Sequence, residues 1–580
     1  MKKIKFSSCS CEIEKGNFDI RNIPLDCSAT WNLISTGYTQ GVFQLETKLG
    51  QDWSRKVKPQ SIEELAAVIS IIRPGCLEAG ISDEYIQNKF NPDCITYIHK
   101  ALKPILESTY GCMIYQEQAL KIASEIAGFT LEEADDLRKA IGKKIPELMS
   151  SLKQKFINGA EKSGIVPRGI AEEIFGWIEK SQRYGFNKSH SIAYAYTGYQ
   201  TGYLKCHFPH EFFTSFLTYS SYKGDPKEEI YKLVQDARLF GINILPPDIR
   251  KLNVHFKIID DSISFGLSHI RSVGQNAIKT ILKNQDNFNK WSDFLCSIPE
   301  LHRDVGIALI KSGACDCYKM SRIDMIKELE AILGTTSRNE NDKKIEIRGL
   351  TQKEKDYFFD KIKSSNLSAV DVLEEMVNIY NNQKPSLKQM SKDELQKLTF
   401  EFFDGGINIE KGTKSQLINS LIENGYKEIK SVISNEKRRD IIIEKIKALK
   451  IHENDTNTGN AMAEKHFLGI SLSCSEADDA DSSDANHNCI DIAKSGNNGN
   501  IKVCAIIDNV KHTKTKKGKN PGSPMCFLTI SDSTYSIDHA VVFPDSYEIL
   551  KSFCKENVVA LITGYKKNGS FIVNDIVKLL

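Results

Sequence analysis

The rhythm of apolar and polar positions changes character along this chain. Residues 60–240 read as mostly helical. Ser61-Ile62-Glu63-Glu64 has the form of a capping box, a hydroxyl at the cap and a carboxylate three residues on, ahead of the apolar run 65–72. That run stops at Arg73-Pro74-Gly75, a strong breaker. Residues 115–127 have helical spacing. Thr130-Leu131-Glu132-Glu133 is a second capping box, opening a helix towards Ile141 with Gly142 expected as its C-terminal stop. Pro246-Pro247 marks a boundary. Residues 254–267 then read as a short hairpin, VHFKI and SISFGL around the turn Asp260-Asp261. A small-residue turn, Ser272-Val273-Gly274, leads into an apolar helix up to about residue 283. Residues 320–455 are helical, charged and Lys-rich. Residues 474–500 are the clearest linker, acidic and rich in Ser, Asp and Asn, with too little apolar surface to order itself. From Ile501 the pattern alternates: KVCAIIDNV, MCFLTISD, IDHAVVF, VVALITGY and SFIVNDIV suit five strands of a small barrel.

Composition narrows the classes. The 580 residues suggest about four domains. They are 41% hydrophobic and 26% charged, with a formal net charge of +2. Bulk charge therefore decides nothing about nucleic acid; local patches must. No apolar run reaches the roughly 20 residues that span a bilayer, and no secretory signal precedes residue 20. The fifteen cysteines are scattered. Cys9/Cys11 and Cys315/Cys317 are C-x-C pairs with no matching C-x2-C partner, so zinc is not expected and reduced cytoplasmic thiols are.

Two clusters carry chemistry. LRKAIGKK (137–144) sets Arg138, Lys139, Lys143 and Lys144 at and beyond one helix end, where each cation could meet a phosphate oxygen. The alternative is a solvated helix end offsetting the macrodipole. YGFNKSH (184–190) packs aromatics, Asn187, Lys188, Ser189 and His190 into seven residues. That density suits phosphate and base recognition, and equally a polar loop in which Asn187 or Ser189 caps the next helix. Tyr194, Tyr196, Tyr199 and Tyr203 form a stripe that fits packing better than a base platform. GVFQLE (41–46) and YQEQ (115–118) set polar residues into apolar surroundings and say little alone. The turn around Arg271 and Gly274 could cradle a DNA phosphate on backbone amides. In the last domain, Lys514, Lys516, Lys517 and Lys519 lie between two strands. Residues 501–580 hold 11 Lys against 7 Asp plus Glu. A basic loop on a small barrel fits single-stranded nucleic acid, or is a solvated tip.

Taken in order, these segments resemble the C-family replicative polymerases, the bacterial DNA polymerase III alpha subunits. GVFQLE (41–46), RPG (73–75), STYGCMIYQEQ (108–118), AGFTLEEADDLRKAIGKK (127–144) and YGFNKSHSIAYAYTGYQTGYLKCHFPHEF (184–212) carry the likeness. ILPPDI (244–249), GLSHIRSVG (266–274) and LIKSGACD (309–316) continue it. It resumes weakly at HFLGISL (466–472) and at the C-terminal barrel.

The resemblance implies a mainly α-helical multidomain chain ending in an all-β OB-fold. A palm-edge remnant would occupy 1–40, polymerase fingers 41–224 and a helix-hairpin-helix duplex-DNA-binding domain 225–320. A helical insertion would follow at 321–455, a connector with acidic linker at 456–500 and the OB-fold at 501–580. It further implies that Arg138 and Lys139 bind the triphosphate of an incoming dNTP, with Lys143, Lys144 and the loop 187–190 nearby. The family motif is like LRRAMGKK, so Lys139 keeps the charge and loses the bidentate fork.

The departures matter as much. The PDxDxDF motif that holds catalytic Mg2+ in the family palm does not occur, and its third aspartate would precede GNFDIRNIPLD (16–26). Asp19 and Asp26 are not substitutes. No catalytic or metal-binding residue is therefore expected here. The implied protein is the C-terminal half of a polymerase: either part of a split, phage-type enzyme in the bacterial cytoplasm, working on primer-template DNA with a palm- and PHP-bearing chain, or a truncated reading frame. The alternative is a non-catalytic DNA-binding protein derived from a polymerase. Residues 391–425 faintly resemble a SAP-type DNA-binding module, and Gln396 to Phe400 could be a sliding-clamp peptide.

Overall fold

A computed structural model describes residues 18–143, 146–181, 184–251, 253–283, 288–297, 302–333, 453–496, 498–515 and 521–580, with a few positions between 391 and 449. Lys144, Lys516, Lys517, Lys519, the clamp-peptide candidate and nearly all of the SAP-like stretch lie outside them. So does the side chain of Lys143.

The helices run α1 (Ser28–Thr36), α2 (Lys48–Val57), α3 (Ile62–Ile71), α4 (Pro74–Glu78), α5 (Ile81–Phe90), α6 (Lys103–Leu106), α7 (Gln116–Ala127), α8 (Leu131–Lys143) and α9 (Pro146–Ser163). Then come α10 (Arg168–Ser181), α11 (Lys188–His207), α12 (Pro209–Tyr219) and α13 (Pro226–Leu239). A three-stranded sheet follows, β1 (Asn243–Leu245), β2 (Lys257–Ile259) and β3 (Ser262–Ser264), in the order β1-β3-β2. Next are α14 (Gln275–Lys283), α15 (Trp291–Ser297), α16 (Arg303–Lys311), α17 (Arg322–Leu333), α18 (Asn457–Leu468) and α19 (Cys489–Lys494). The barrel strands are β4 (Asn498–Lys514), β5 (Pro524–Ser531), β6 (Ser536–Val542), β7 (Val558–Lys567) and β8 (Ser570–Lys578), with α20 (Pro544–Leu550) before β7. The chain forms two compact units. One comprises the chain through Pro247, then Asn253–Arg271 and Thr456–Leu580; the other comprises Asp248–Leu252 and Ser272–Asp455. The cut at 271/272 falls inside the segment 225–320.

Local signals shape the first unit. Thr130 and Glu133 make both capping-box bonds, Glu133 N donating to Thr130 Oγ1 and Thr130 N to Glu133 Oε2. Ser61 accepts from Glu64 N, but the Glu64 carboxylate turns back one residue further, to Gln60 N. Arg73-Pro74-Gly75 ends α3 as expected, and Pro74 then opens α4, because a missing N–H costs nothing in a first turn. Gly142 does not end α8, which runs through it to Lys143; one glycine lowers helix propensity by only about 1 kcal/mol. Leu106, Ile122, Ile126, Phe129, Leu137, Phe156 and Phe175 join α6 to α10 in one buried core.

In α11, Tyr199 and Tyr203 are buried. Lys205 is buried too, ion-paired with Asp236 of α13 and donating to Tyr38 O and Gln40 O, each at 2.7 Å.

The barrel closes in the order β4-β5-β6-β8-β7, with β7 pairing back onto β4. Fully and partly buried positions alternate from Cys526 to Ile530 in β5, in line with the sequence pattern. A bulge between Ile507 and Asn509 re-aims Asp508, which accepts from Ser531 Oγ and from Lys465.

The expectation that 474–500 cannot order itself is overturned. Ala477 packs beside Cys504, Ile506 and Val559, while Cys489 and Ile492 enter the barrel core. Two of the acidic residues in this stretch have distant partners: Asp479 accepts from Thr458 N at 2.8 Å at the start of α18, and Glu476 pairs with Lys465. The stretch is also tied to the barrel by Cys489 N, which donates to Asp532. Composition alone counts carboxylates as solvated, whereas here a helix N-terminus and a lysine meet them.

No disulfide occurs among the described cysteines, and no described helix is long and apolar enough to cross a membrane.

Candidate nucleotide and nucleic-acid interface

The YGFNKSH loop is held on two sides. A parallel bridge pairs Tyr115 with Phe186, Gln116 N donating to Phe186 O at 2.9 Å and Phe186 N to Ile114 O at 3.0 Å. Asn187 caps α11, its Oδ1 accepting from His190 N at 2.8 Å. Its Nδ2 donates to Glu117 Oε1 at 3.1 Å. The same carboxylate accepts from Lys188 N at 3.0 and 2.9 Å, so one acid on α7 sets the start of α11. From the other side, Arg73 donates to Tyr184 O at 2.6 Å and lies 4.4 Å from the Phe186 ring centre. Gly75 permits this approach, since a Cβ there would sit 2.4 Å from a Tyr184 ring carbon.

Beyond the cap, His190 lies between Phe186 at 5.6 Å and Tyr194 at 4.0 Å, and Tyr194 meets Phe43 at 5.1 Å. Ser189 and His190 are exposed, and Lys188 is half-buried with its ammonium 5.7 Å from the Tyr115 ring. An open hollow of about 660 Å³ is lined by Glu117, Lys188, Ser189, Ile192, Ala193 and Tyr196.

The second cluster is on α8. Arg138 Nε meets Asp135 at 2.8 Å, and Lys139 meets Asp135 at 3.0 Å and Asp136 at 3.3 Å. Hydrogen bonds from Lys139 and Arg138 hold the Asp135 carboxyl below its ordinary range, and those to Asp135 and Asp136 raise the Lys139 ammonium. All four side chains are about half exposed, where such pairs contribute little. Among the described residues no hydrogen bond or ion pair joins Arg138 or Lys139 to the 187–190 loop. What they share is α7. The connection 128–130 links α7 directly to α8, and the two helices pack against each other.

The other expected DNA-binding positions lie elsewhere. Arg271 is exposed at the end of its segment in the first unit. In the second unit, Ser272 takes φ +72° and exposed Gly274 precedes α14. There Gly274, Gln275, Asn276, Thr280 and His302 line a hollow of about 490 Å³. Lys514 is exposed at the end of β4.

Sequence reasoning missed Glu117 and Arg73, which position the loop, and the buried Lys205–Asp236 pair. Each had the same weak signal, a charge in an otherwise apolar stretch. No group of three or more His, Cys, Asp or Glu able to hold a metal occurs among the described residues. Asp19 accepts from the Arg21 amide and guanidinium.

Residues 6–164 match the bacterial DNA polymerase III alpha subunit finger domain, and 241–325 match a helix-hairpin-helix motif. A finger-domain match followed by a helix-hairpin-helix match defines the class that the chain resembles, the bacterial DNA polymerase III alpha subunits. The DNA polymerase III subunit alpha of Aquifex aeolicus is 40% identical over 324 residues, 54% of this chain and 28% of the relative. That of Thermus aquaticus is 33% identical over 418 residues, 70% of this chain and 34% of the relative. That of Escherichia coli K12 is 40% identical over 322 residues, 54% of this chain and 27% of the relative. The chain is DNA polymerase III alpha-like, of the C-terminal-half type, and its matches span about a third of the length of these curated relatives.

Proposed function

We propose that this chain supplies the nucleotide-binding and DNA-holding parts of a DNA-directed DNA polymerase. A palm-bearing chain would contribute the carboxylates that bind Mg2+. The observation that carries this reading is the common support of the two clusters. Helix α7 holds the α11 loop through Glu117 and packs against α8, the helix that bears Arg138 and Lys139. A dNTP triphosphate is a polyanion. Arg138 and Lys139 would exchange aspartate for phosphate oxygens, losing surface pairs worth about 0–1 kcal/mol and gaining charge-assisted bonds to phosphate. Asn187 is committed to the cap, which leaves Lys188, Ser189 and His190 to face the nucleotide. Arg271, the Gly274 turn and Lys514 would hold the DNA backbone, where cations act without regard to sequence. Bound Mg2+ would supply charge neutralisation at the transferring phosphoryl group; its ligands would come from outside these residues.

The test is primer extension with Mg2+ and dNTPs, using this chain alone and then with a palm-bearing chain. Extension only in the mixture is expected, with Arg138→Ala raising the KM for dNTP by about tenfold or more. Extension by the chain alone would overturn the assignment of the carboxylates. Silence in both with DNA binding retained would favour a non-catalytic DNA-binding protein.

A further inference from the structure

The end of α12 carries a feature that neither cluster uses. Tyr219 and Tyr222 are 65% and 84% exposed, and their ring centres lie 6.0 Å apart at 34°. Elsewhere on α12 the aromatics Phe212 and Phe213 are buried. Tyrosines usually bury their rings, so two adjoining rings left in water present unused π-faces.

Cations lie around them. Exposed Lys223 follows directly. His269 Nε2 lies 3.0 Å from Thr218 O, which brings the segment ending at Arg271 against this end of α12. The Arg271 amide donates to Phe467 O at 3.0 Å, and Lys227 Nζ donates to His466 O at 2.6 Å, so the Arg271 backbone and the Lys227 ammonium are both held at the end of α18. Burial and then the Arg271 charge lower the Lys227 ammonium. The nearby carboxylates are partly committed: Asp225, whose charge favours the Lys227 ammonium, caps α13 through Lys227 N and Glu228 N, and Glu46 lies within electrostatic reach of Lys223. Paired aromatic faces beside anchored cations are what an unpaired nucleotide needs, the rings for its base and the cations for its phosphates.

We propose that Tyr219 and Tyr222 form a stacking platform for a base of single-stranded nucleic acid, with Arg271, Lys227 and Lys223 holding its backbone. This rests on the polymerase reading and adds a single-strand contact to it. The π-faces accept any base, so the platform is sequence-tolerant. The cations make it salt-dependent.

The experiment uses the full chain and a single-stranded oligothymidylate of about 15 nucleotides carrying a central 2-aminopurine, beside a duplex of equal length. The native chain is expected to bind the single strand and change the 2-aminopurine fluorescence. Replacing both tyrosines by Ala should weaken single-strand binding by about 10- to 100-fold and remove the fluorescence change, with duplex affinity unchanged. The Tyr219→Phe, Tyr222→Phe protein keeps both rings and should bind like the native chain. Arg271→Ala should lower the salt slope by about one.

The proposal is overturned if the alanine protein binds the single strand like the native chain. It is equally overturned if the phenylalanine protein loses as much as the alanine protein, or if duplex binding falls in parallel. A native chain that holds duplex yet shows no fluorescence change sinks the platform alone. One that holds neither nucleic acid sinks the polymerase reading with it.

Discussion

Two sets of ion pairs use the same chemistry to different ends. Lys205 and Asp236 meet in the interior, where the ammonium also donates to two carbonyls and lies among the rings of Phe212, Phe213 and Phe240. Arg138 and Lys139 meet Asp135 and Asp136 on an open helix face. Inside, neither partner can leave without stranding a charge, so the pair joins α11 to α13. Outside, water screens the attraction and either cation can change partner at small cost. Burial, rather than residue type, decides which charges build the protein and which remain available to a ligand.

The largest effect should come from breaking the interior pair. Lys205→Met leaves Asp236 buried and unpaired, and urea unfolding should show a loss of about 3–5 kcal/mol. Adding Asp236→Leu should recover much of it. If the single substitution cost no more than an exposed one, the contrast between the two sets would fail.

Glu64 of α3 lies between these extremes. Burial pushes its carboxyl up, but Tyr110, Lys89 and the Gln60 amide outweigh that and leave it below its ordinary 4.5. The stability it contributes is therefore present above that pH and lost as pH falls through the depressed folded-state value. The melting-temperature gap between the native chain and Glu64→Gln should be constant near neutrality and close on acidification. A gap that widened in acid would reverse the assigned sign.

The smallest effect should come from the exposed set. Asp135→Asn with Asp136→Asn should change stability by less than about 0.5 kcal/mol. The same change should tighten dNTP binding about two- to fivefold in equilibrium titration, since the cations no longer need to be released. Weaker binding would mean that the aspartates position the cations instead of competing for them.

How much was legible in the sequence follows the range of the interactions. The Thr130–Glu133 box, the turn at Asp260-Asp261, the α11 cap at Asn187 and the alternating barrel strands all act within a few residues, and each was readable. Gly142 misled because a glycine marks a helix end only when the following residues also leave the helix. The acidic stretch before the barrel misled because its carboxylates find partners at the α18 N-terminus and in Lys465, and its Cys489 amide finds Asp532 of the barrel, which no local count contains. Arg138 and Lys139 could be named from their run, but their partnership with Asp135 and Asp136 rather than open solvent required the helix to be built.

By itself, the sequence determined the helical majority, the closed five-stranded barrel and the polymerase likeness, because periodicity, caps and ordered motifs are written in neighbouring residues. Only the tertiary structure decided that Glu117 would hold the start of α11, that Arg73 would brace it, that Lys205 would be buried on Asp236 and that Tyr219 and Tyr222 would stay in water. Those outcomes depend on which distant surfaces exclude water. That is a property of the packed chain, in which burial sets the strength of every charge.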